Sequence, residues 1–254
     1  MYIKFLGTGG ARYVVAKQLR YSAGIFLHAC GQNVMIDPGP GTLVRMAKSK
    51  PRIDIENITA VIATHSHIDH INDINILIDA MTEGGDKKRG RLFAPRECLE
   101  GEDAVIFSYL RNFPEDIVTL EEKTSYEIGD LKFTTSIRHR HTAETYGLIF
   151  SIEGKKVSFL PDTGFFDGLR ESYAQSDVLI VNTVLRSFKP GASERHLSFD
   201  DLETLIELLS PGKLAMTHFG MGMLKARPWE LAQELSGRSG IEVIAASDGM
   251  RLDL

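Results

Sequence analysis

A dense group of histidines is the strongest chemical signal in the sequence. Residues Thr64 to His70 read THSHIDH, so three histidines and one aspartate fall within six residues. Histidine nitrogen and aspartate oxygen are ordinary zinc ligands, and such a site needs no cysteine. A polar loop that happens to carry histidines is the alternative interpretation. Because the whole chain has only eight histidines, their concentration here favours a metal site.

The elements on either side of this segment decide where its side chains point. Ile58 to Ala63 is apolar and β-branched, which predicts a buried strand. Apolar residues then recur at helical spacing from Ile71 to Met81. Residues two apart in an extended chain point the same way, so His65 and His67 share one side. The Asp69-His70 pair lies in the first helical turn and points elsewhere, so the segment offers two ligand pairs to two neighbouring metal ions.

Three further polar side chains follow predicted strands later in the chain. They are His141, Asp162 and His218, with His139 as a rival to His141. Ligand sites gather where strands end at one edge of an α/β sheet, which favours a shared site over separate turn residues. With the first segment, five histidines and two aspartates are available. That set suffices for two metals that share Asp162.

The composition is that of an ordinary globular protein and argues against several classes. The chain has 254 residues, of which 43% are hydrophobic and 25% charged, and this length can bury a sizeable core. The net charge of −5 argues against non-specific coating of nucleic acid. Cys30 and Cys98 form no CxxC pair, which predicts reduced thiols in a cytoplasmic protein. We expect no signal peptide and no membrane helix.

The order of predicted elements indicates α/β organisation without a linker. We predict one domain over residues 1–254, built from two similar βα halves that join near residues 122–130. Short strands dominate from Ile117 to Leu160, and a helix is predicted to be capped by Ser198 and to end at about Leu209.

Several other features have both a functional and a structural interpretation. The glycine-rich segment Gly7 to Gly10 can cradle a phosphate or simply form a tight turn. Asp37 can orient a metal-bound histidine or hold its own turn. A basic loop contains Lys87, Lys88, Arg89 and Arg91. Those cations can contact an anionic substrate or be solvated, and the sequence leaves this open.

The residues above resemble a known family. THSHIDH, followed by His141, Asp162 and His218, is similar to the metallo-β-lactamase superfamily of hydrolases. Flanking segments narrow the resemblance to the ribonuclease Z branch and its small cyclic phosphodiesterase relatives. They are Phe5-Leu6-Gly7-Thr8-Gly9, Asp37-Pro38-Gly39, His141-Thr142, Tyr146-Gly147, Arg195-His196-Leu197 and Thr217-His218-Phe219. The resemblance covers essentially the whole chain.

The resemblance implies a fold and a set of metal ligands. The fold is a four-layer αββα sandwich with the metals at one edge of the two sheets. The implied ligands are His65, His67 and His141 for one metal, Asp69, His70 and His218 for the other, and Asp162 as a bridge. His141 is favoured over His139 because Thr142 and Tyr146-Gly147 fit the family pattern. Two divalent ions are implied, with Zn²⁺ as the default and Mn²⁺ or iron as alternatives.

The resemblance also implies catalytic roles and shows two departures. Asp69 would orient a metal-bridging hydroxide, and His196 would act near the leaving group as a general acid or a phosphoryl donor. An exposed histidine near a helix start is the structural alternative for His196. Ribonuclease Z has a long tRNA-gripping arm where only 20 residues separate His141 from Asp162 here. The cyclic phosphodiesterase has a cysteine cluster that the segment after Gly10 lacks.

These observations predict a binuclear metal-dependent phosphodiesterase that acts on small cyclic or nucleotide-like diesters. We expect no tRNA-gripping arm and no membrane partner. Hydrolysis of a lactone, thioester or β-lactam is the alternative, and a non-hydrolytic metal-binding protein is a second alternative. His196 and the glycine-rich loop favour phosphorus over carbon. The sequence leaves open the physiological substrate, the metal and whether the chain forms a dimer.

Overall fold

Two mixed β-sheets face each other in the computed structural model, which describes residues 1–22, 24–188 and 195–254. The first sheet contains, in spatial order, β14 (Arg251–Asp253), β1 (Tyr2–Phe5), β2 (Ile25–Ala29), β3 (Gln32–Ile36), β4 (Ala60–Ile62), β5 (Arg91–Pro95) and β6 (Asp116–Leu120). The second contains β13 (Glu242–Ala245), β12 (Lys213–Thr217), β11 (Val178–Asn182), β10 (Lys155–Leu160), β9 (Leu148–Ile152), β8 (Leu131–Thr135) and β7 (Ser125–Ile128).

Helices cover the outer face of each sheet. The first sheet packs against α2 (Thr42–Lys48), α4 (Ile74–Met81) and α5 (Arg96–Leu99). The second packs against α6 (Leu169–Tyr173), α7 (Asp201–Leu209) and α9 (Pro228–Ser239). The short helices α1 (Ala11–Ala16), α3 (Ile68–Ile71) and α8 (Met221–Lys225) contact one another through α1. The predicted four-layer αββα sandwich is therefore confirmed. No helix of the described residues has the length and apolar character needed to cross a membrane.

The direction of the strands determines where functional side chains can meet. In the first sheet β3, β4, β5 and β6 run parallel. In the second sheet β10, β11, β12 and β13 run parallel, and β8 shares their direction because it is two antiparallel steps from β10. Each of the predicted strand-end ligands follows one of these co-directional strands. Residues that follow β8, β10 and β12 consequently emerge at the same edge of the second sheet.

The core between the sheets is held by aromatic side chains. Phe93 of the first sheet meets Phe133 of the second with ring centroids 5.3 Å apart. Phe150 continues the contact at 5.3 Å from Phe133 and 5.6 Å from Phe159. These edge-on and tilted contacts add to the large apolar area that each ring buries. The two sheets are therefore fixed face to face, which fixes the edge where their strands end.

Two carboxylates change the predicted helix boundaries. Among the described residues, no side-chain cap bonds the start of α7, and the N–H and the Oγ of Ser198 both donate to the Asp201 carboxylate at 2.8 Å. The predicted helix after the THSHIDH segment is divided into α3 and α4. At the division, the Asp73 carboxylate accepts hydrogen bonds from the N–H groups of Gly41 and Leu43 at 3.1 Å each. Asp73 therefore ties the start of α2 to the start of α4.

The chain crosses between the two sheets twice, which bears on the prediction of two similar halves. The chain leaves the first sheet after Leu120 and enters the second at Ser125, then returns to the first sheet for β14. The sequence patterns did not predict the short edge strands β7 and β14. Two similar halves within a single domain remain a prediction.

Replacing the central aromatic of the inter-sheet core should destabilise the fold. Phe150 is fully buried, so Phe150→Ala should lower the free energy of unfolding by about 3–5 kcal/mol through lost transfer energy and a residual cavity. Chemical denaturation measures this change. The matched control is Phe107→Ala, because Phe107 is 54% exposed and its loss should cost about 1 kcal/mol or less. Equal losses in both variants would contradict this view of the core.

Candidate metal centre

The THSHIDH segment begins directly after β4 and ends in α3. His65 and His67 lie in the extended connection with ring centroids 4.8 Å apart. Asp69 and His70 lie in α3, where the helical turn brings the His70 ring to 4.1 Å from the His65 ring. The strand-to-helix junction therefore presents two ligand pairs to adjoining positions, as the spacing predicts.

Three distant side chains join this segment. His141 follows β8, and its Nε2 lies 3.0 Å from His67 Nδ1. His218 follows β12, and its Nε2 lies 3.1 Å from His70 Nε2. Asp162 follows β10 and lies near both His70 and His218. Its carboxylate oxygens lie 3.7 Å from His70 Nε2 and from His218 Nε2. The structure thus brings together all seven residues named from the sequence.

The seven side chains form two adjoining groups of potential ligand atoms. Within each group these atoms all lie within 4.8 Å of one another. One group comprises His65, His67, His141 and Asp162, and the other comprises Asp69, His70 and His218. Asp162 belongs to the first group and lies 3.7 Å from His70 and from His218 of the second, which is the position that a bridging ligand requires.

The potential ligand atoms are better satisfied by divalent metal ions than by hydrogen bonds to one another. His65 Nε2 is buried without a hydrogen-bond partner among the described residues. Such a buried polar atom costs about 1–3 kcal/mol when nothing satisfies it. The two close imidazole pairs have facing nitrogens, and each pair can be satisfied internally only if one nitrogen carries a proton. Metal ions bind through these lone pairs, so this donor set fits two divalent cations.

Burial and the neighbouring histidines favour the metal-binding protonation states of five of these side chains. Burial lowers the pKa values of His65, His67 and His141 and keeps these rings neutral. Burial also opposes ionisation of Asp69 and Asp162, but the neighbouring histidines outweigh it and hold both carboxyl pKa values below their usual range. Neutral imidazoles and ionised carboxylates are the forms that bind metals.

Asp37 contacts His70, which is one of the two roles that the sequence left open, and its side chain forms no hydrogen bond to its own turn among the described residues. Its Oδ2 lies 3.0 Å from His70 Nδ1 and accepts a hydrogen bond from the Thr64 hydroxyl at 2.7 Å. Its Oδ1 accepts from the Thr64 N–H at 2.7 Å. Against the desolvation of the buried ring, Asp162 and Asp37 raise the His70 pKa. The same two carboxylates favour a metal cation at this ring, and Asp37 leaves His70 Nε2 directed towards His218.

His139 lies behind the centre, whereas His141 lies in it. His139 Nδ1 lies 3.2 Å from the Asp162 carbonyl oxygen, and Nε2 lies 2.7 Å from the Tyr173 hydroxyl. A carbonyl oxygen only accepts, so Nδ1 donates and Nε2 accepts from the Tyr173 O–H. Burial lowers the pKa of His139 to about 4. This neutral ring fixes the backbone that carries Asp162.

His196 lies at the mouth of the centre. Its Nε2 is 3.3 Å from Asp162 Oδ2, and its ring centroid is 5.0 Å from that of His141. Although burial opposes it, the bond to Asp162 raises the pKa of His196. The side chain keeps 33% of its surface exposed. His196 is therefore available to a molecule in the adjoining cleft.

Asn182 is a contact that the sequence analysis missed. It ends β11, and its Nδ2 donates to Asp162 Oδ1 at 2.8 Å. A polar residue at the end of a buried strand is the signal that could have found it, because the same signal identified Asp162. Asn182 and His139 therefore hold Asp162 by its side chain and its backbone respectively.

Three of the four N–H groups of the glycine-rich loop bond to the scaffold and are therefore not available to a phosphate. The Thr8 N–H donates to Asp248, the Gly9 N–H to the Tyr21 carbonyl and the Gly10 N–H to the Phe219 carbonyl, at 2.8–3.0 Å. A β-carbon at Gly10 would lie 2.4 Å from the His218 ring. Gly10 is therefore required where the loop packs against His218.

The basic loop lies at the other end of the strands. Arg91 opens β5 opposite Ala60, the first residue of β4, whereas the ligands follow the last residue of β4. Lys87 pairs with Glu83 at 2.8 Å and Arg91 pairs with Asp116 at 3.0 Å. The interpretation of this loop as a contact to substrate at the metal centre is therefore not supported.

A cleft of about 700 Å³ opens onto the centre. Its apolar lining residues are Ala11, Val15, Ala16, Pro40 and Ile68. Its polar lining residues are Ser66, His67, Asp69, Asn72, Asp162 and His196. This size is typical of small-molecule sites. Among the side chains that the structure describes, the cleft is lined by no lysine or arginine.

Comparison with known proteins places this chain in a family. The model of the β-lactamase superfamily domain matches residues 32–219. An uncharacterized protein of Methanocaldococcus jannaschii is 31% identical over 99% of this chain and 94% of its own length. A ribonuclease Z of Borrelia garinii is 22% identical over 99% of this chain and 96% of its own length, in an alignment of 313 residues.

Solved structures share the fold. The metallo-β-lactamase fold protein YhfI of Bacillus subtilis has a TM-score of 0.80 at 18% identity, over 99% of this chain and 98% of that one. A diphosphatase from the PhnP family has a TM-score of 0.72 at 19% identity, over 99% of this chain and 96% of that one. At these identities the likeness concerns the fold.

Matched asparagine substitutions should separate the two neighbouring histidines. His141→Asn should lower the bound metal by about one equivalent per chain, because it removes an imidazole nitrogen from the centre. His139→Asn should keep both equivalents, because its amide N–H can replace the Nδ1–H that donates to the Asp162 carbonyl. Metal analysis of the purified, folded variants measures the difference. Loss of metal in His139→Asn alone would reverse the assignment.

Proposed function

The chain belongs to the metallo-β-lactamase superfamily, in its ribonuclease Z-like branch, and is a metal-dependent hydrolase; from this premise we propose that it hydrolyses small cyclic or nucleotide-like phosphodiesters. The observation that carries the proposal is the meeting of seven ligand side chains beside His196 in an open cleft. The proposed metals are two divalent ions, with Zn²⁺ as the default.

The proposed ligands divide the seven residues between two ions. His65, His67 and His141 would hold one ion, Asp69, His70 and His218 the other, and Asp162 both. Two bound divalent ions would supply Lewis acidity, neutralise a phosphoryl oxygen and lower the pKa of water to about 7. Asp37 and Asn182 would keep two of these ligands oriented through the hydrogen bonds described above.

His196 and Asp69 are the proposed catalytic side chains. The His196 ring is next to both Asp162 and the cleft, so its Nε2–H can donate to a phosphoryl oxygen or to a departing alkoxide. The Asp69 carboxylate lines the cleft and lies 3.5 Å from His218 Nε2. There it can accept a hydrogen bond from, and thereby orient, the hydroxide that attacks phosphorus.

The short connection between His141 and Asp162 supports a small substrate. Residues 148–160 form the β9–β10 hairpin within the second sheet, with only Glu153 and Gly154 between the strands. No segment there is long enough for a tRNA-gripping arm. The ribonuclease Z alignment needs 313 positions against 254 residues here, which fits additional segments in that relative. The substrate is therefore proposed to fit within the cleft itself.

One observation favours the second candidate, an acyl hydrolase acting on a lactone, thioester or β-lactam. The described lining of the cleft carries no lysine or arginine, and part of it is apolar. An uncharged carbonyl substrate suits such a lining. Phosphorus remains the first choice because the ribonuclease Z relative and the diphosphatase neighbour have names of enzymes that cleave P–O bonds. His196 also provides the donor that an alkoxide leaving group requires.

The remaining parts of the proposal are the cellular compartment and the molecule that the cleft binds. Cys30 and Cys98 are free thiols, which suits a reducing cytoplasm. Burial raises the pKa of Cys98 far above its ordinary value, so this thiol is inert. A small diester is the proposed partner of the cleft.

His196→Ala should slow phosphodiester hydrolysis by about 10²–10⁴-fold while the protein keeps both metals. The loss should be greater for a diester with an alkyl leaving group than for bis(p-nitrophenyl) phosphate, because p-nitrophenolate departs without a proton. Steady-state kinetics and metal analysis measure both effects. Equal losses on both substrates would indicate a phosphoryl donor instead of a general acid.

His28→Ala is the matched control for that variant. His28 lies in β2 and bonds Asn33 at 2.7 Å, away from the cleft, so its replacement should leave turnover unchanged. A wild-type rate in His196→Ala would remove His196 from the mechanism.

A substrate panel should separate the two candidate functions. With zinc-loaded and manganese-loaded enzyme, we expect turnover of bis(p-nitrophenyl) phosphate and a cyclic nucleotide to exceed that of a chromogenic lactone by at least about tenfold in kcat/KM. Apo-protein prepared with a chelator should hydrolyse neither class. A preference for the lactone would favour the acyl hydrolase, and a metal-loaded protein inert towards every ester would favour a non-hydrolytic role.

A further inference from the structure

A second pocket, remote from the metal centre, is lined by four cationic side chains. It has a volume of about 210 Å³ and lies between β1, α2 and the turn before β14. Its cations are Lys4, Arg45, Lys48 and Lys50, and none of its lining residues is acidic. Because α2 is seven residues long, this pocket at its C-terminal end lies about 10 Å from the helix start that neighbours Asp37.

The charges in this pocket lack counterions within the described structure. Lys4, Arg45, Lys48 and Lys50 form no ion pair with a described carboxylate. Lys4 is only 6% exposed, and burial together with repulsion from Arg251 and Arg45 lowers its pKa. A buried amino group placed among like charges is costly unless an anion accompanies it.

Hydrogen-bond donors are also available around the pocket. Lys4 Nζ donates to the Lys50 carbonyl at 2.9 Å, and Arg45 Nε donates to the Leu6 carbonyl at 3.1 Å. An ammonium has three N–H groups and a guanidinium has five, so most of these donors remain unused within the described residues. The Ser49 hydroxyl oxygen is likewise buried without a partner. Ser49 lines the same pocket.

The C-terminal end of α2 explains only part of this arrangement. A helix C-terminus carries about half a negative charge, which favours one nearby cation. Four cations exceed that charge several-fold, and Lys4 comes from a strand outside the helix. An unfilled space with an unpaired hydroxyl also has no role in satisfying a helix dipole.

We propose that this pocket is a binding site for a phosphate group, supplied by free inorganic phosphate or by a phosphate monoester. Charged Lys4 and Arg45 donate from the floor of the pocket, Lys48 and Lys50 from its rim, and Ser49 through its hydroxyl. Charge-assisted hydrogen bonds of this kind are the strong ones in phosphate recognition. The volume is below the 300–1,000 Å³ range of drug-sized sites, so it suits a single phosphate group.

Isothermal titration calorimetry of the metal-loaded protein tests the proposal. Inorganic phosphate is titrated at constant ionic strength into wild type, Lys48→Ala/Lys50→Ala and the control Lys155→Ala/Lys225→Ala. The control removes the same charge from exposed lysines elsewhere. All three proteins keep the metal centre, so phosphate that binds there contributes equally to the three titrations. We expect the Lys48/Lys50 variant alone to weaken the additional binding event by about five- to thirtyfold, with unchanged phosphodiesterase kinetics.

A single-atom variant and a second ligand complete the test. Ser49→Ala should weaken the same event by about threefold or more without changing the net charge. Adenosine 5′-monophosphate in place of phosphate identifies the source, since the ligand whose affinity falls in the variants is the one recognised. The proposal is overturned if Ser49→Ala binds like wild type or if both lysine pairs weaken binding equally, because either result reduces the effect to general charge attraction.

Discussion

The meeting of ionised carboxylates and neutral imidazoles in a buried space is the constraint on which the rest of the structure depends. Such groups are costly away from water unless they find partners. In this protein the partners come from both sheets, since His65 and His70 follow a strand of the first sheet whereas Asp162 and His218 follow strands of the second. The sheets must therefore end at a common edge, and the aromatic contacts between them keep that edge in register.

A second set of residues exists to hold the ligands. Asp37 orients His70, Asn182 holds the Asp162 carboxylate and His139 holds the Asp162 backbone. The glycine-rich loop contributes in a different way, because Gly10 leaves the space that the His218 ring occupies. Each of these supports follows the end of a strand. The strand ends thus provide both the ligands and the groups that fix their orientation.

The distribution of positive charge separates two regions of the surface. The described lining of the metal cleft contains both apolar and polar residues, without lysine or arginine. Positive charge from lysine and arginine gathers instead around the pocket at the end of α2. Divalent ions would themselves supply the positive charge that a phosphoryl group needs at the cleft. A pocket without metal ligands must obtain the same attraction from side chains.

The sequence by itself identified the elements with strong local patterns. The buried strands, the helical spacing from Ile71 to Met81 and the short strands between Ile117 and Leu160 are all local, so periodicity and turn residues predicted them. The seven proposed ligand residues were named from their types and their positions at strand ends. The edge strands β7 and β14 escaped prediction because each is short and exposed on alternate residues.

Only the tertiary structure decided contacts between residues distant in sequence. It decided that Ser198 donates to Asp201 and does not cap α7, that Asp73 bonds the start of α2 where the predicted helix divides, and that three N–H groups of the glycine-rich loop bond to the scaffold. It also distinguished the position of His141 from that of His139. Residue type and local spacing show which chemistry a side chain can perform, but its partner is fixed by packing between segments, which no local pattern encodes.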